Sequence, residues 1–153
     1  MNAIPLLTSI VVALRQARLE AVLIGNAAAA IHGAPVTTLD FDFMFRRTAR
    51  NLAKLKDFAT RLEAMILRPY YPISNLYRVI NDEIGLQVDF MPAIHGVKSF
   101  NSLRSRAHSI EVAGHPLLVA DLADIIASKR AAGRPRDKAV LDVLERTLRE
   151  KTK

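Results

Sequence analysis

Three aspartates carry the chemistry that this chain could perform. Asp40 and Asp42 stand two residues apart in TLDFDFMF, and Asp89 sits in LQVDFMP, a second run dominated by apolar residues. On an extended strand, residues i and i+2 project from one face, roughly 6–7 Å apart. Two carboxylates at that spacing can converge on one or two divalent ions. A pair of ions about 3.5–4 Å apart activates an attacking oxygen and stabilises a leaving one in phosphoryl chemistry. Magnesium, or manganese in its place, accepts carboxylate oxygens and keeps waters or substrate phosphates as its other ligands. A neighbouring strand bearing Asp89 would complete the set. The plainer alternative is that Asp40 and Asp42 line the wet face of an amphipathic strand, since alternation generates such pairs freely. Against it, Asp is disfavoured within strands, yet all three lie in the most apolar strand-like runs of the chain.

The elements that must position these acids follow from local pattern. AVLIG, residues 21–25, is uniformly apolar and ends in Gly, as a central buried strand does. Backbone donors at its end, around Gly25 and Asn26, could hold phosphates. Asn26 is expected to cap a short Ala-rich helix over Ala27–Ile31, which His32-Gly33-Ala34-Pro35 terminates. Thirteen residues separate Gly25-Asn26 from Asp40. Val36–Phe45 reads as the second strand, with Leu39, Phe41, Phe43 and Phe45 alternating against Asp40, Asp42 and Met44.

The flanking chain supplies layers for these strands. Ile4–Glu20 has an amphipathic helical pattern with Pro5 in its first turn. Thr48 is expected to cap a helix running to about Leu67, and Arg68–Ser74 to form a loop. Leu76–Asn81 and Leu86–Met91 read as a hairpin, and Ser109–Val112 with Pro116–Val119 as another around Gly114. His95–Arg106 is weakly helical or irregular. Asp121 caps a helix to Ala132; Gly133 and Pro135 break it, and a last helix carries Val140, Leu141, Leu144 and Leu148. The sum is one α/β (α+β) domain over residues 1–153, a mixed sheet flanked by helices.

Composition narrows the function classes. Half of the 153 residues are hydrophobic and 24% are charged, as in soluble globular proteins. There is no cysteine, which excludes disulfides and thiolate zinc sites. Apolar runs stop short of the roughly 20 residues that a membrane helix needs. The first twenty residues lack a basic n-region, so a cytoplasmic protein without a membrane partner is expected. The net charge of +7 favours polyanionic partners such as nucleic acid or nucleotide phosphates.

Taken together, Gly25-Asn26, then Asp40-Phe41-Asp42, then Asp89 in an apolar strand resemble the pattern of the nucleotidyltransferase-fold superfamily. That pattern runs from a Gly-Gly or Gly-Ser pair through a short helix to an Asp-x-Asp pair and a later acid. LIGNAAAAIHGAPVTTLDFDFMF is most similar to small bacterial members, including abortive-infection toxin-type nucleotidyltransferases. ADLADIIASKRAAGRPRDKAVLDVL resembles their C-terminal helices, where a Lys and an Arg-Asp turn recur. The resemblance implies metal-dependent transfer of a nucleotidyl group from an NTP to a hydroxyl on RNA or protein. Asp40 and Asp42 would bind the metal, with Asp89 as third ligand or general base. Gly25 and Asn26 would hold the triphosphate, and Lys129 would neutralise phosphate charge. An antitoxin or a second copy of the chain is the implied protein partner.

Three positions depart from the pattern. Asn26 stands for the usual Gly or Ser, Val36 for a frequent Arg, and Leu39 for a frequent basic residue. A catalytically silent module that binds nucleic acid or a partner protein is therefore the alternative function.

Other features have structural readings beside functional ones. Lys129, Arg130, Arg134 and Arg136 surround a helix end, either solvated or contacting phosphate. Tyr70, Tyr71 and Tyr77 could stack on a base or pack in the core. His32, His95, His108 and His115 lack metal-ligand spacing, and only His32 falls near the phosphate turn.

Overall fold

The computed structural model describes residues 3–38, 40–69 and 75–153. Among them, seven strands form one mixed sheet in the order β3 (Met65–Leu67), β4 (Tyr77–Asn81), β5 (Leu86–Met91), β2 (Phe41–Phe45), β1 (Ala21–Ile24), β7 (His115–Val119), β6 (His108–Val112). Every residue of β1, which lies beside the central strand, is buried. It runs antiparallel to β2 (Phe41–Phe45) and parallel to β7 (His115–Val119). On the other side, β2 lies parallel to β5 (Leu86–Met91). An uninterrupted apolar run such as AVLI suits a strand covered on both faces.

The two faces have different occupants because strand side chains alternate. Phe41, Phe43, Phe45, Val88 and Phe90 point to one face and are buried there. Phe43 stacks on Phe90 with centroids 5.3 Å apart, and Phe58 meets Phe90 edge-on at the same separation. Phe58 and Leu55 belong to α3 (Ala49–Arg61), against which α1 (Ala3–Ala17) packs. The opposite face carries Asp42 and Asp89, with α2 (Gly25–Ile31) and α5 (Leu122–Ala132) in contact beside it.

Several boundaries differ from the sequence expectation, each for a local reason. The second strand begins at Phe41, not Val36, because residues near Thr38 bond to themselves. The Asp40 N–H donates to the Thr38 hydroxyl at 3.0 Å, and that hydroxyl donates to the Asp40 carbonyl at 3.1 Å. Such side-chain turns compete with a ladder. Leu39 lies outside the described residues.

Thr48 does cap α3, its side chain accepting from the Asn51 N–H. The helix ends at Arg61 rather than Leu67, and Glu63 adopts φ 51°. Asn81 donates to the carbonyls of Leu62 and Glu63, satisfying groups that a helix end leaves open. Met65–Leu67 then forms β3, paired with β4 (Tyr77–Asn81) at the edge of the sheet. Ile66 is therefore a strand residue opposite Val79, not part of a helical stripe.

Both expected hairpins form, β4 with β5 and β6 (His108–Val112) with β7. Within 95–106, Phe100–Arg106 is a regular helix, α4, capped by Ser99. Gly133 ends α5 in the left-handed conformation that a helix C-terminus favours, and Pro135 opens α6 (Pro135–Lys151). No helix among the described residues is long and apolar enough to cross a membrane.

Candidate active site

A cleft of about 850 Å³ opens on the sheet face that carries the acids. Its position follows from register. Ile24, the last residue of β1, is opposite Asp42 in β2, and Asp42 is opposite Asp89 in β5. The turn at Gly25 is thereby set directly against the Asp42 carboxylate. Gly25 has φ 70°, and a Cβ built on it would stand 3.0 Å from Asp42 Oδ2. Only glycine supplies both that backbone conformation and that clearance at little cost.

Asp42 is penalised as an anion. Burial, then the charges of Asp89 and Asp40, push its pKa up to about 6; Lys129 and Arg136 pull the other way. Among the described residues, nothing donates a hydrogen bond to its carboxylate. Asp40 precedes β2 on the exposed lip of the same cleft. Asp89 is buried and held by Arg78, its direct partner across β4 and β5. Arg78 Nε donates to Oδ1 at 2.9 Å and Nη2 to Oδ2 at 3.2 Å. That bond first, with the charges of Asp89, Asp40 and Asp42, raises the guanidinium pKa further.

The opposite wall is cationic. Asp137, 2% exposed in the first turn of α6, accepts from Arg134 at 2.6 and 3.3 Å and lies 3.7 Å from Lys129 Nζ. Burial alone would raise the Asp137 pKa, but the Arg134 bond and the charges of Arg134 and Lys129 hold it below the usual range. Burial lowers the pKa of Lys129, with Arg134 adding to the effect and Asp137 and Asp42 opposing it. Arg136 also lines the cleft and forms no ion pair among the described residues. A third boundary is the 92–95 loop, seated where Gly96 touches α5. A Cβ on Gly96 would lie 2.6 Å from the Ala127 carbonyl oxygen.

These positions bring together every residue expected from the sequence: Gly25, Asn26, Asp40, Asp42, Asp89 and Lys129 all line the one cleft. The role of Asn26 differs from the capping expectation. Ile24 occupies the N-cap without a side-chain bond, because the chain turns at Gly25 and starts the helix two residues early. Asn26 Oδ1 is instead buried with no hydrogen-bond partner among the described residues.

For a divalent ion, the donor set is carboxylate oxygen, which suits a hard cation. Asp42, penalised as an anion and lacking a donor, could hold one together with Asp40. Asp89 is occupied by Arg78, and no three ligand side chains are gathered around one point among the described residues.

Sequence reasoning missed Arg78 and Asp137. Arg78 looks like one polar residue in the alternating YRVIN, and only strand register aligns it with Asp89. Asp137 sits two residues after the helix-opening Pro135, where an acid is ordinary. Val36 and Leu39 add no positive charge, and Arg78, Lys129, Arg134 and Arg136 bring cations to the cleft from elsewhere in the chain.

Two other sequence features are structural. Tyr77 is buried, edge-on to Phe45 and beneath Arg68; Tyr70 and Tyr71 lie outside the described residues. Outside the cleft, His32 Nε2–H donates to the Ala120 carbonyl at 2.7 Å and Nδ1 accepts from Lys151 Nζ at 2.8 Å. It ties the end of α2 to the end of α6.

No protein-family model and no characterised protein matches the chain in sequence. Solved structures do resemble it. The solution structure of the antibiotic-resistance factor ANT(2'')-Ia superposes with a TM-score of 0.65 at 15% identity, over 95% of this chain and 83% of that one. A crystal structure of ANT(2'')-Ia in complex with adenylyl-2''-tobramycin gives 0.65 at 16% identity, over 95% and 88%. A candidate nucleotidyltransferase from Thermotoga maritima, TM1012, gives 0.63 at 18% identity, over 95% and 92%. At these identities the likeness is one of fold, and this chain has the nucleotidyltransferase fold.

Proposed function

We propose that the protein is a metal-dependent nucleotidyltransferase. The observation that carries this reading is Asp42, wedged against Gly25 between Asp40 and Asp89 and facing Lys129, Arg134 and Arg136 across one cleft. A pair of acids that repel each other without a donor is suited to a cation, and a cationic wall opposite them is suited to phosphates. A bound magnesium or manganese ion would neutralise phosphate charge and polarise the reacting phosphoryl oxygen.

The chain's own groups then divide the work. Asp40 and Asp42 hold the ion, with Asp89 as third ligand or as the base that accepts the acceptor's proton. Gly25 and Asn26 seat the triphosphate, and Lys129, Arg134 and Arg136 offset its charge. An acceptor hydroxyl oxygen bonds to the α-phosphorus, the bond from that phosphorus to the bridging oxygen breaks, and pyrophosphate leaves. ANT(2'')-Ia, with its adenylyl-tobramycin complex, supports transfer to a hydroxyl on this fold. An acceptor on RNA or protein, and the place of the chain as a toxin with an antitoxin partner in the cytoplasm, rest on the sequence resemblance of residues 23–45 and 120–144.

The test is label transfer. Each of the four NTPs, labelled at the α-phosphate, is incubated with the protein, magnesium and a pool of cellular RNA and protein. Label should enter one of the two pools and vanish with chelator or with Asp42→Asn. Label in neither pool, or label indifferent to the substitution, overturns the reading.

A further inference from the structure

Arg78 is an ionisable group lining the cleft that no step above uses. Both oxygens of Asp89 are engaged by its guanidinium, at 2.9 and 3.2 Å. The pairing is set by backbone register rather than by chance proximity, because Arg78 and Asp89 face each other across β4 and β5. Asp89 in turn faces Asp42 across β5 and β2. The Asp89 side chain is 11% exposed and that of Arg78 35%. The carboxylate is thus the fixed member of the pair, and the guanidinium has room to leave. The charges of Asp40 and Asp42 also act on Arg78. A cation therefore already stands among the three acids, and it is covalently part of the chain.

We infer that Arg78 is an internal competitor for the divalent ion, occupying Asp89 in the free protein and yielding it when an ion bridges Asp89 to Asp42. This rests on the metal-dependent reading above and deepens it. Two lone-pair sites of Asp89 are taken by the fork of the guanidinium, whose positive charge repels a second cation nearby. Two of the roughly four lone-pair sites on Asp89 remain, but Asp89 becomes the stronger ligand when Arg78 and its charge withdraw. The released guanidinium remains in the same cleft, where a planar fork suits a phosphate as well as it suits a carboxylate. Arg78 is on this view a positioning residue, acting through Asp89 to make the third ligand conditional on what else occupies the cleft. The arrangement accounts for three acids lining one cleft without being gathered into a ready cage.

The test reads metal binding, not turnover. Free Mn²⁺ is followed by electron paramagnetic resonance as it is titrated into the intact protein, with and without a non-hydrolysable ATP analogue. Arg78→Gln should tighten Mn²⁺ binding by about tenfold, the scale expected when one charge-assisted bidentate pair no longer has to break. Arg78→Lys, which keeps the charge but not the fork, should tighten it by a smaller factor. In an Asp89→Asn background, the gain from Arg78→Gln should largely disappear. A purely structural Arg78 predicts the reverse, a weaker site in both variants. Unchanged or weaker binding in Arg78→Gln overturns the inference, as does a gain that persists fully in Asp89→Asn. Should Arg78→Gln fail to fold, Arg78→Lys decides by the same criterion. If wild type binds Mn²⁺ and only the variant effect is missing, the metal-dependent reading stands and the Arg78 inference alone falls. If no form binds Mn²⁺ even with nucleotide, both fall.

Discussion

Replacing Asp42 with Asn should stabilise the metal-free protein, and the gain should grow with pH. The folded state holds the Asp42 carboxyl at a pKa of about 6 instead of 3.8, chiefly by burial and then by the charges of Asp89 and Asp40. A raised carboxyl pKa means that the folded state disfavours the anion. The associated stability is fully present below the unfolded value, near pH 3.8, and is lost as pH rises through about 6. A difference of about two pKa units corresponds to roughly 3 kcal/mol at the top of the range. Asparagine has nearly the same shape and never ionises, so it escapes this loss. Urea unfolding in the presence of a chelator, from about pH 4.5 to about pH 8, measures the effect. The two proteins should have similar stability at the acidic end, and Asp42→Asn should exceed wild type by ~2–3 kcal/mol at the alkaline end. Added Mg²⁺ should then raise wild type and leave the variant unmoved, because a ligand stabilises only the form that binds it. A pH-independent gap, or a variant less stable than wild type throughout, would refute the reasoning.

Three further outcomes are expected. Gly25→Ala should cost about 1–2 kcal/mol of stability, from its left-handed backbone, and should also weaken Mn²⁺ binding because the new methyl meets Asp42 Oδ2 at 3.0 Å; thermal unfolding and metal titration check the two effects separately. Asp137→Asn should weaken NTP binding by about tenfold and make it fail at lower pH than in wild type. Lys129 already titrates early because it is buried, and it would lose the charge of Asp137 that opposes this; calorimetry across alkaline pH shows the shift. Phe90→Ala, which removes a fully buried ring between Phe43 and Phe58, should cost about 3–5 kcal/mol by denaturant unfolding.

How much the sequence disclosed depended on the range of the interaction concerned. AVLI and FDFMF declared themselves because burial on one or both faces of a strand writes a pattern of period one or two into the chain. The hairpins were readable for the same reason, being local pairs joined by short turns. The end of α3 was not. Leu62 and Ile66 continue a helical spacing, and the chain leaves it where Asn81, far along the sequence, donates to the carbonyls of Leu62 and Glu63. Asp40, Asp42 and Asp89 were visible as polar residues in apolar runs, whereas the ion pairs that hold the site were not. Arg78 reaches Asp89 through strand register, and Asp137 reaches Lys129 through the packing of α6 on α5. Those are tertiary facts with no local signature. Asn26 illustrates the same limit. Its type suited a cap, but the positive φ of Gly25 moved the start of the helix and left its carbonyl oxygen buried without a partner.

The central claim is that Asp42 and the groups around it form a site for a divalent ion and a nucleoside triphosphate together. Calorimetric titration of each NTP into wild type and Asp42→Asn, with magnesium and with chelator, tests it most directly. The account predicts saturable binding of at least one NTP to wild type that requires magnesium and is lost in Asp42→Asn. Binding that is the same with chelator, or the same in the variant, would contradict it.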